Sequence, residues 1–397
     1  QVDFDGVDDY LSVEDNSSLD FVAGFSVSYW VYPQVADSND RMVCKGTTGS
    51  GNWMISFAGG QAIRVYAQDD NGQTADFSSS NTLTLNEWAM VTVVINRTTN
   101  YVQVYKNGGN LTEGAATWTG GFNTSIPLTM GVNSSIAGYF EGQMSQVGIF
   151  NSELTADEVS SLYNHGLPVD LKTNQAAYES SSNLVGYWRM GSGTLDSYPL
   201  IADQTNATLG NNLASGYDFT SGWNTFAAGT LIINSTSFSS QSGQGIYAGL
   251  GLVANKLYKI KITGTQPSGG YFTLKSGTTG TSLKNISTTS FNEEIFATPT
   301  VVTASNNDFY IRLSGHSAGT VITISNLEIQ QVNGNPAMMI NLGGGADFSD
   351  GIQNGSPYAN LVQNGDFTNG TTGWTEEGSS TISVGTHQGR TNVADIN

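Results

Sequence analysis

The sequence predicts an all-β protein of more than one domain. Three observations carry that expectation. Short runs alternate apolar and polar residues at strand period, as in "FSVSYWVY" at 25–32. Turn formers separate these runs: 48 residues are glycine, only 8 are proline, and Ser, Thr and Asn are plentiful. No apolar stretch approaches the ~20 residues that a membrane-crossing helix needs. A length of 397 residues leaves room for two or three domains.

The elements follow in order. Residues 2–13 read "VDFDGVDDYLSV", with Asp3, Asp5, Asp8 and Asp9 crowded around Gly6. An EF-hand counted from Asp3 would place Asp5, Asp9 and Glu14 correctly, but puts Val7 at a ligand position and Asp8 where glycine is required. "DYLSV" then continues as a strand rather than a helix, so the EF-hand is rejected. "WAMVTVVI" (88–95) is apolar on both faces and predicts a strand buried on both sides. "YVQVY" runs into Asn107-Gly108, a hairpin turn. "YFEGQMSQVGIF" (139–150) is a further strand. One helix is expected at about 155–165. Thr155 and Glu158 form a capping box, Val159, Leu162 and Tyr163 an apolar stripe, and Gly166 suits the C′ position. It is too short for a domain and is expected to plug one end of a sandwich.

A second β unit is read from "LYKIKITGT", "YFTLKSG", "DFYIRLSG" and "TVITISNLEIQQV". The expected division is 1–170 for the first sandwich, 171–210 for a linker with one strand, and 211–333 for the second sandwich. A linker follows at 334–360, then the start of an incomplete third module at 361–397. That last reading rests on a repeat: "NLASGYDFTSGWNTF" (212–226) is echoed by "NLVQNGDFTNGTTGWTEE" (360–377), so Trp223 and Trp374 are each expected to pack their own module.

A net charge of −19 repels phosphate backbones, so nucleic acid is not an expected partner. Cys44 is the sole cysteine, which excludes an intrachain disulfide. Gln1 is no initiator, and the chain is expected to be processed or a fragment. "GHSAG" (315–319) matches the nucleophile-elbow pattern, but the segment after Ser317 is a strand and His316 is its immediate neighbour, so a turn is expected. Three scattered histidines and one cysteine give no zinc spacing.

"FDGVDDYLSV", "FSVSYWVYP", "LTLNEWAMVTVVIN", "YVQVYKNGG" and "GYFEGQMSQVGIFNSELTADEVSSLYNHG" resemble, in order, the laminin-G-like, concanavalin A-like jelly-roll family. The resemblance implies two packed antiparallel sheets. Residues 211–333 resemble jelly-roll carbohydrate-binding modules, opening on "DFTSGW" and closing on "ITISNLEIQQV". Together with "NLVGYWRMGSGT", "IADQTNATLG" and "GSPYANLVQNGDFTNGTTGW", the arrangement is similar to bacteriophage tail-fibre and virion-appendage proteins.

That resemblance implies a non-enzymatic virion structural protein, a fibre or capsid-surface decoration on the virion surface. Its expected partners are other virion proteins, host or environmental glycans, and further copies of itself, without membrane insertion. The alternative is a secreted or cell-surface bacterial adhesin, or the binding portion of a carbohydrate-active enzyme. Glucanases of the concanavalin A-like fold carry an E-x-D-x-x-E strand, which is missing here; Glu141 and Glu153 stand apart.

Sugars stack on exposed aromatic rings and bond to amides and carboxylates. Trp53, Trp118 and Tyr139 border Gly/Asn-rich stretches, and Asp69, Asp70 and Asn71 form a polar loop, so these six are the glycan-binding candidates. Trp30 and Trp88 are expected in the core. Relatives of both jelly rolls hold a structural calcium, which implies Asp3, Asp5, Asp8 and Asp9 in the first domain and Asp218 and Asn326 in the second. Finally, "NLVGYWRM" (183–190) is too apolar for an exposed linker. In laminin-G-like units a similar strand usually precedes "FDG". Tyr187 and Trp188 are therefore expected to pack on a sandwich of this chain or of a neighbouring subunit, as assembly residues.

Overall fold

The computed structural model describes residues 1–341, apart from 39, 50, 197–198, 278–281 and 300–307, and the strands Ile382–His387 and Arg390–Ile396. The expected third module and the 342–360 part of the second linker, Trp374 among them, lie outside the described residues. The exception is the antiparallel pair 382–387/390–396.

The first sandwich packs a 7-stranded sheet on an 8-stranded one. The first sheet runs Val2–Asp5, Glu141–Phe150, Phe25–Pro33, Ala89–Asn96, Tyr101–Lys106, Gly109–Ala115. Alternation decides which side chains meet between the sheets. Val27, Tyr29 and Val31 point inward with Val91, Val93 and Ile95, and all are buried in the main core. The Asn107-Gly108 turn takes positive φ at both residues, 52° and 78°, as the type I′ hairpin requires.

Trp30, Met90, Val94 and Tyr105 face the opposite way, yet they too are buried. Helix Ala156–Tyr163 covers them with Val159 and Leu162. The doubly apolar strand at 88–95 is thereby explained, and the helix lies over a sheet face rather than plugging an end. The capping box at Thr155 and Glu158 is present. The left-handed C-cap, however, falls on Asn164 (φ 44°) rather than Gly166. Glu158 also accepts from the Ser180 hydroxyl at 2.5 Å and the Glu179 N–H at 3.3 Å, fastening the helix to the chain that follows.

That following chain is not a linker. Leu184–Trp188 pairs with Glu141–Phe150 on the edge that Val2–Asp5 also uses, taking positions 147–150 while Val2–Asp5 takes 141–144. The packing expected for 183–190 is therefore found within one chain, and the assembly role for Tyr187 and Trp188 is corrected to an intramolecular one. Trp188 sits in the main core and Tyr187 in the layer under the helix. A Cβ on Gly186 would lie 2.4 Å from the Trp188 ring, so the indole lies where only glycine leaves space.

The 334–360 link is corrected likewise. Ala337–Asn341 pairs with Asp9–Val13 and, on its other side, with Leu200–Ile201. The second sheet thus runs Leu200–Ile201, Ala337–Asn341, Asp9–Val13, Leu128–Met130, Arg41–Lys45, Trp53–Phe57, Ala62–Gln68, Thr74–Thr82. The second sandwich is an insertion between two neighbouring strands of the first. Its two connections run side by side: Gly210 N–H donates to Gln331 at 2.8 Å and Asn333 N–H to Thr208 at 3.0 Å. Asp203 clasps the junction, accepting from the Tyr187, Thr205 and Asn335 N–H groups at 2.9–3.0 Å. Burial pushes its carboxyl up even against those donors.

The inserted sandwich packs two 5-stranded sheets. One runs Asn224–Phe226, Gly245–Gly249, Asp308–Ser314, Tyr271–Ser276, Ser282–Ile286; the other Leu231–Ile232, Ser237–Ser240, Thr320–Gln331, Tyr258–Thr265, Ser290–Ala297. Phe219, Trp223, Ile246, Ile260, Phe272, Ile311 and Ile322 fill its core, so Trp223 does pack its own module.

Candidate functional site

The aromatic platform expected on the first sandwich is not there. Trp53 and Trp118 are each 2% exposed and belong to its core, with Phe25 and Phe122 against them. Gly/Asn-rich neighbours signalled loops, but both indoles turn inward from the strand end and loop that carry them. Trp30 is buried and Trp88 half-buried. Tyr139 is half-buried beside Tyr10.

The polar loop is largely structural. Asp69 is wholly buried and accepts the N–H groups of Asn71, Gln73, Thr119 and Gly120 at 2.6–3.1 Å. Burial pushes its carboxyl up, but those four donors outweigh burial and hold it below the usual carboxylate range. Asp70 and Asn71 are exposed, though engaged: Asp70 accepts from Asn123, and Asn71 donates to Thr119. Asp69→Asn is expected to cost about 2–3 kcal/mol of stability at neutral pH. A depressed carboxyl stabilises fully above its unfolded value of ~3.9. The gap between wild type and Asp69→Asn should therefore be constant down to about pH 4–5 and close as pH falls further, through the folded value. Melting curves across pH check this.

The acidic opening is partly gathered. One carboxylate oxygen each from Asp5, Asp8 and Asp9 lie within 4.8 Å of one another. Asp3 is outside this group and hydrogen-bonds Gln143. Burial, with the charges of Asp5 and Asp8, pushes the Asp9 carboxyl up to about 6. In the second sandwich, Asp218 closes its own turn by accepting from Thr220 N–H and hydroxyl at 2.8 and 2.7 Å. Asn326 donates to Glu328 at 3.1 Å. The tie between opening and closing segments is made instead by Tyr217, whose hydroxyl donates to Ile324 at 2.7 Å. Asp218 and Asn326 are thus both engaged in local hydrogen bonds.

Other motifs find structural places. His316 is buried against Gln266 at 3.1 Å, and Ser317 lies in the turn between Asp308–Ser314 and Thr320–Gln331. Glu153 accepts the Arg97 and Thr98 N–H groups. Cys44 is buried and its thiol is pushed up to about 12 by that burial, so it is not nucleophilic. A crevice at the seam of the two sandwiches, lined by Glu14, Asp15, Asn16, Asn255 and Lys256 among others, contains no aromatic ring.

One outer face of the inserted sandwich, which sequence reading did not single out, gathers aromatic and polar side chains. In the sheet Asn224–Phe226/Gly245–Gly249/Asp308–Ser314/Tyr271–Ser276/Ser282–Ile286, the residues Ile246, Phe309, Ile311, Leu313, Phe272 and Leu274 go inward. Period two then sends Tyr247, Tyr310, Arg312, Thr273 and Lys275 outward. The register lines them up in two rows across the sheet. Asn224, Tyr247, Tyr310 and Lys275 are neighbours in one, and Phe226, Gly245, Arg312, Thr273 and Asn285 in the other.

Tyr247 stacks on Tyr310 with ring centroids 5.0 Å apart and planes at 15°, and Phe226 meets Tyr310 edge-on at 5.6 Å. The Arg312 guanidinium lies over Phe226 at 5.3 Å and is held by its Nε–H to Gly243 at 2.9 Å. Tyr310 is itself nearly covered, and its neighbours Tyr247, Phe226 and Arg312 are half-buried. They offer a ring surface beside fixed donors and acceptors: the Arg312 fork, Asp308, and the Thr273–Asn285 pair at 2.7 Å. The opposite sheet's outer face is ordinary by contrast, with the ion pair Lys259–Glu294 at 2.9 Å. The missed signal was the alternation in "DFYIRLS", which puts Tyr310 and Arg312 on one side.

Residues 5–160 match the family model of the Concanavalin A-like lectin/glucanases superfamily. The first sandwich has that concanavalin A-like, laminin-G-like architecture, and the inserted one is a second jelly-roll sandwich. Among solved structures, the chain is similar to a Bacteroides ovatus protein described only provisionally as carbohydrate-binding (19% identity, 51% of this chain and 55% of that one, TM-score 0.40). It thus spans about half the length of that structure, 55%. It is also similar to domain 4 of a Geobacillus stearothermophilus extracellular arabinanase in complex with arabinotriose (20%, 37% and 69%, TM-score 0.30). A third is tailspike protein 2 of the Escherichia coli O157:H7 bacteriophage CAB120 (15%, 47% and 29%, TM-score 0.33). A search of curated proteins returned no match.

Proposed function

We propose that the chain is a non-enzymatic, glycan-binding appendage of a bacteriophage virion, a fibre or capsid-surface decoration that contacts host or environmental glycans. The observation that carries glycan binding is the outer face built from Tyr247, Tyr310, Phe226 and Arg312 on the inserted sandwich. A pyranose C–H face stacks on the half-exposed rings, and hydroxyls pair with Arg312, Asp308 and Asn285. Stacking and hydrogen bonding on such a platform bind a sugar without bond cleavage. Placement on a virion, among other virion proteins and in several copies, is supported by the resemblance of the 183–194, 201–210 and 355–374 stretches to phage appendage proteins. The same face would serve a secreted adhesin or the binding portion of a carbohydrate-active enzyme. Labelling of purified particles by an antibody to this chain favours the virion; absence of label from particles and its presence in culture medium favours the secreted form.

Screening the full chain on a glycan array is expected to give a defined set of ligands. Tyr247→Ala and Arg312→Ala should each weaken binding by about tenfold or more, which corresponds to ~1.4 kcal/mol. Both side chains lie on the outer face and not in the core, so each variant should keep its cooperative melting transition, losing about 1 kcal/mol for the stacking or hydrogen bond removed. Undiminished binding by both variants would remove this face from the reading.

A further inference from the structure

We infer, resting on the glycan-binding reading above, that the sugar taken by the Tyr247–Tyr310 face is an acidic one, whose carboxylate seats on the Nη groups of Arg312. Charge falls unevenly along this chain. The whole carries 14 basic and 33 acidic side chains, yet the inserted sandwich (211–333) carries six basic and five acidic ones and is close to neutral. Three of those acids, Glu293, Glu294 and Glu328, lie on the opposite sheet among Lys259 and Lys261. Lys259 pairs with Glu294 at 2.9 Å, and Lys261 is in register with Glu294 and Glu328. Asp218 is closed in its own turn by Thr220. The strands of the aromatic sheet carry Lys275, Lys284 and Arg312 against one acid, Asp308.

Arg312 is oriented but not neutralised. It stands in register with Gly245, and Gly245 with Phe226. Gly245 has no side chain, so the guanidinium reaches over it to the Phe226 ring, 5.3 Å from the centroid. Its Nε–H is spent on the Gly243 carbonyl at 2.9 Å. Ring and carbonyl together fix the guanidinium plane. Among the described residues Arg312 has no carboxylate partner, so both Nη groups keep their donors for a ligand. Arg64 on the first sandwich shows the alternative: Asp76 closes its fork with two bonds of 2.7 Å. Asp308, the acid on the platform, is engaged by the Tyr310 hydroxyl two positions on.

The donor geometry selects the ligand. A planar fork matches a carboxylate, which accepts two parallel N–H bonds at once, and such charge-assisted bonds are roughly twice as strong as neutral ones. A hydroxyl offers the same fork a single neutral acceptor. A guanidinium held in place beforehand also loses little freedom on binding. The acidic remainder of the chain does not cancel the attraction. At physiological salt, exposed charges more than about 8 Å apart are largely screened, so the charges on the face itself decide. The stacking rings adjoin the guanidinium, Phe226 in its own row and Tyr247 and Tyr310 in the next. A pyranose stacked on them brings a carboxylate on its ring within reach of the fork. The class implied is a hexuronic acid or another sugar with a ring carboxylate.

The test uses ligands that differ only in charge. An array presents uronic acid-containing oligosaccharides, the same oligosaccharides with each carboxyl reduced to a primary alcohol, and sulfate esters of the reduced forms. The best set is titrated against the full chain and its Tyr247→Ala and Arg312→Gln variants. The acidic member should bind about tenfold or more tightly than its reduced counterpart. Added salt should weaken the acidic member and spare the reduced one. Arg312→Gln should bring the two within about twofold of each other, because the fork and its charge are gone. Tyr247→Ala should weaken both and leave their ratio unchanged. The ratio compares two ligands on one protein, so a partly unfolded variant, which weakens both alike, cannot imitate the Arg312→Gln result. A wild-type ratio near one, with both ligands still weakened by Tyr247→Ala, would overturn the acidic specificity and leave the glycan face standing. Binding that neither substitution alters would remove the face itself. A sulfate ester bound more tightly than the carboxylate would overturn the choice of carboxylate.

Discussion

Trp188→Ala is expected to destabilise the first sandwich by about 3–5 kcal/mol, the range for removing a large aromatic side chain from a packed core. Trp188 is fully buried, lies over Gly186, and donates its indole N–H to the Asn335 carbonyl at 2.8 Å. The substitution leaves a cavity and a buried carbonyl without its donor. For a unit of this size the melting temperature should fall by roughly 6–20 °C, at about 2–4 °C per kcal/mol. Calorimetry that resolves the transitions of the two sandwiches measures it. A change in sedimentation with an unchanged melting temperature would instead make Trp188 an interface residue.

The second large effect concerns the insertion. Ending the chain at residue 333 removes Ala337 and Met339 from the core, leaves Asp9–Val13 paired on one side only, unpairs Leu200–Ile201, and takes the Asn335 donor from buried Asp203. The loss should be comparable to the ~5–15 kcal/mol that holds a whole domain together. The truncated first sandwich is expected to show no cooperative melting. Replacing residues 211–330 by an Asn-Gly turn should do far less. Gly210 and Gln331 are already antiparallel neighbours, and a two-residue turn suits that geometry. A truncated chain that melts cooperatively at the wild-type temperature would show that the returning strand is dispensable.

Local signals in the sequence were read where they act locally. The Thr155–Glu158 cap, the Asn107-Gly108 turn and the alternation of "FSVSYWVY" depend on neighbours a few residues away, and each appears where its pattern put it. The closing strand at 337–341 was hidden because "AMMIN" is short, sits behind a Gly/Pro-containing stretch, and finds its partner, Asp9–Val13, more than three hundred positions earlier. Nothing local marks such pairing. Trp53 and Trp118 misled for a related reason. Glycine and asparagine beside a tryptophan mark a loop, but they do not say whether the ring turns outward or caps the core. Tyr247 and Tyr310 went unnoticed because the two lie more than sixty positions apart and become neighbours only through the sheet register.

Glycan recognition by the inserted sandwich is tested most directly by a crystal structure of the full chain with a ligand selected on the array. The account predicts a sugar ring stacked on Tyr247 or Phe226, its hydroxyls within hydrogen-bond reach of Arg312, Asp308 or Asn285. A ligand held by the Asp70/Asn71/Asn123 loops of the first sandwich, with the Tyr247–Tyr310 face bare, would contradict it.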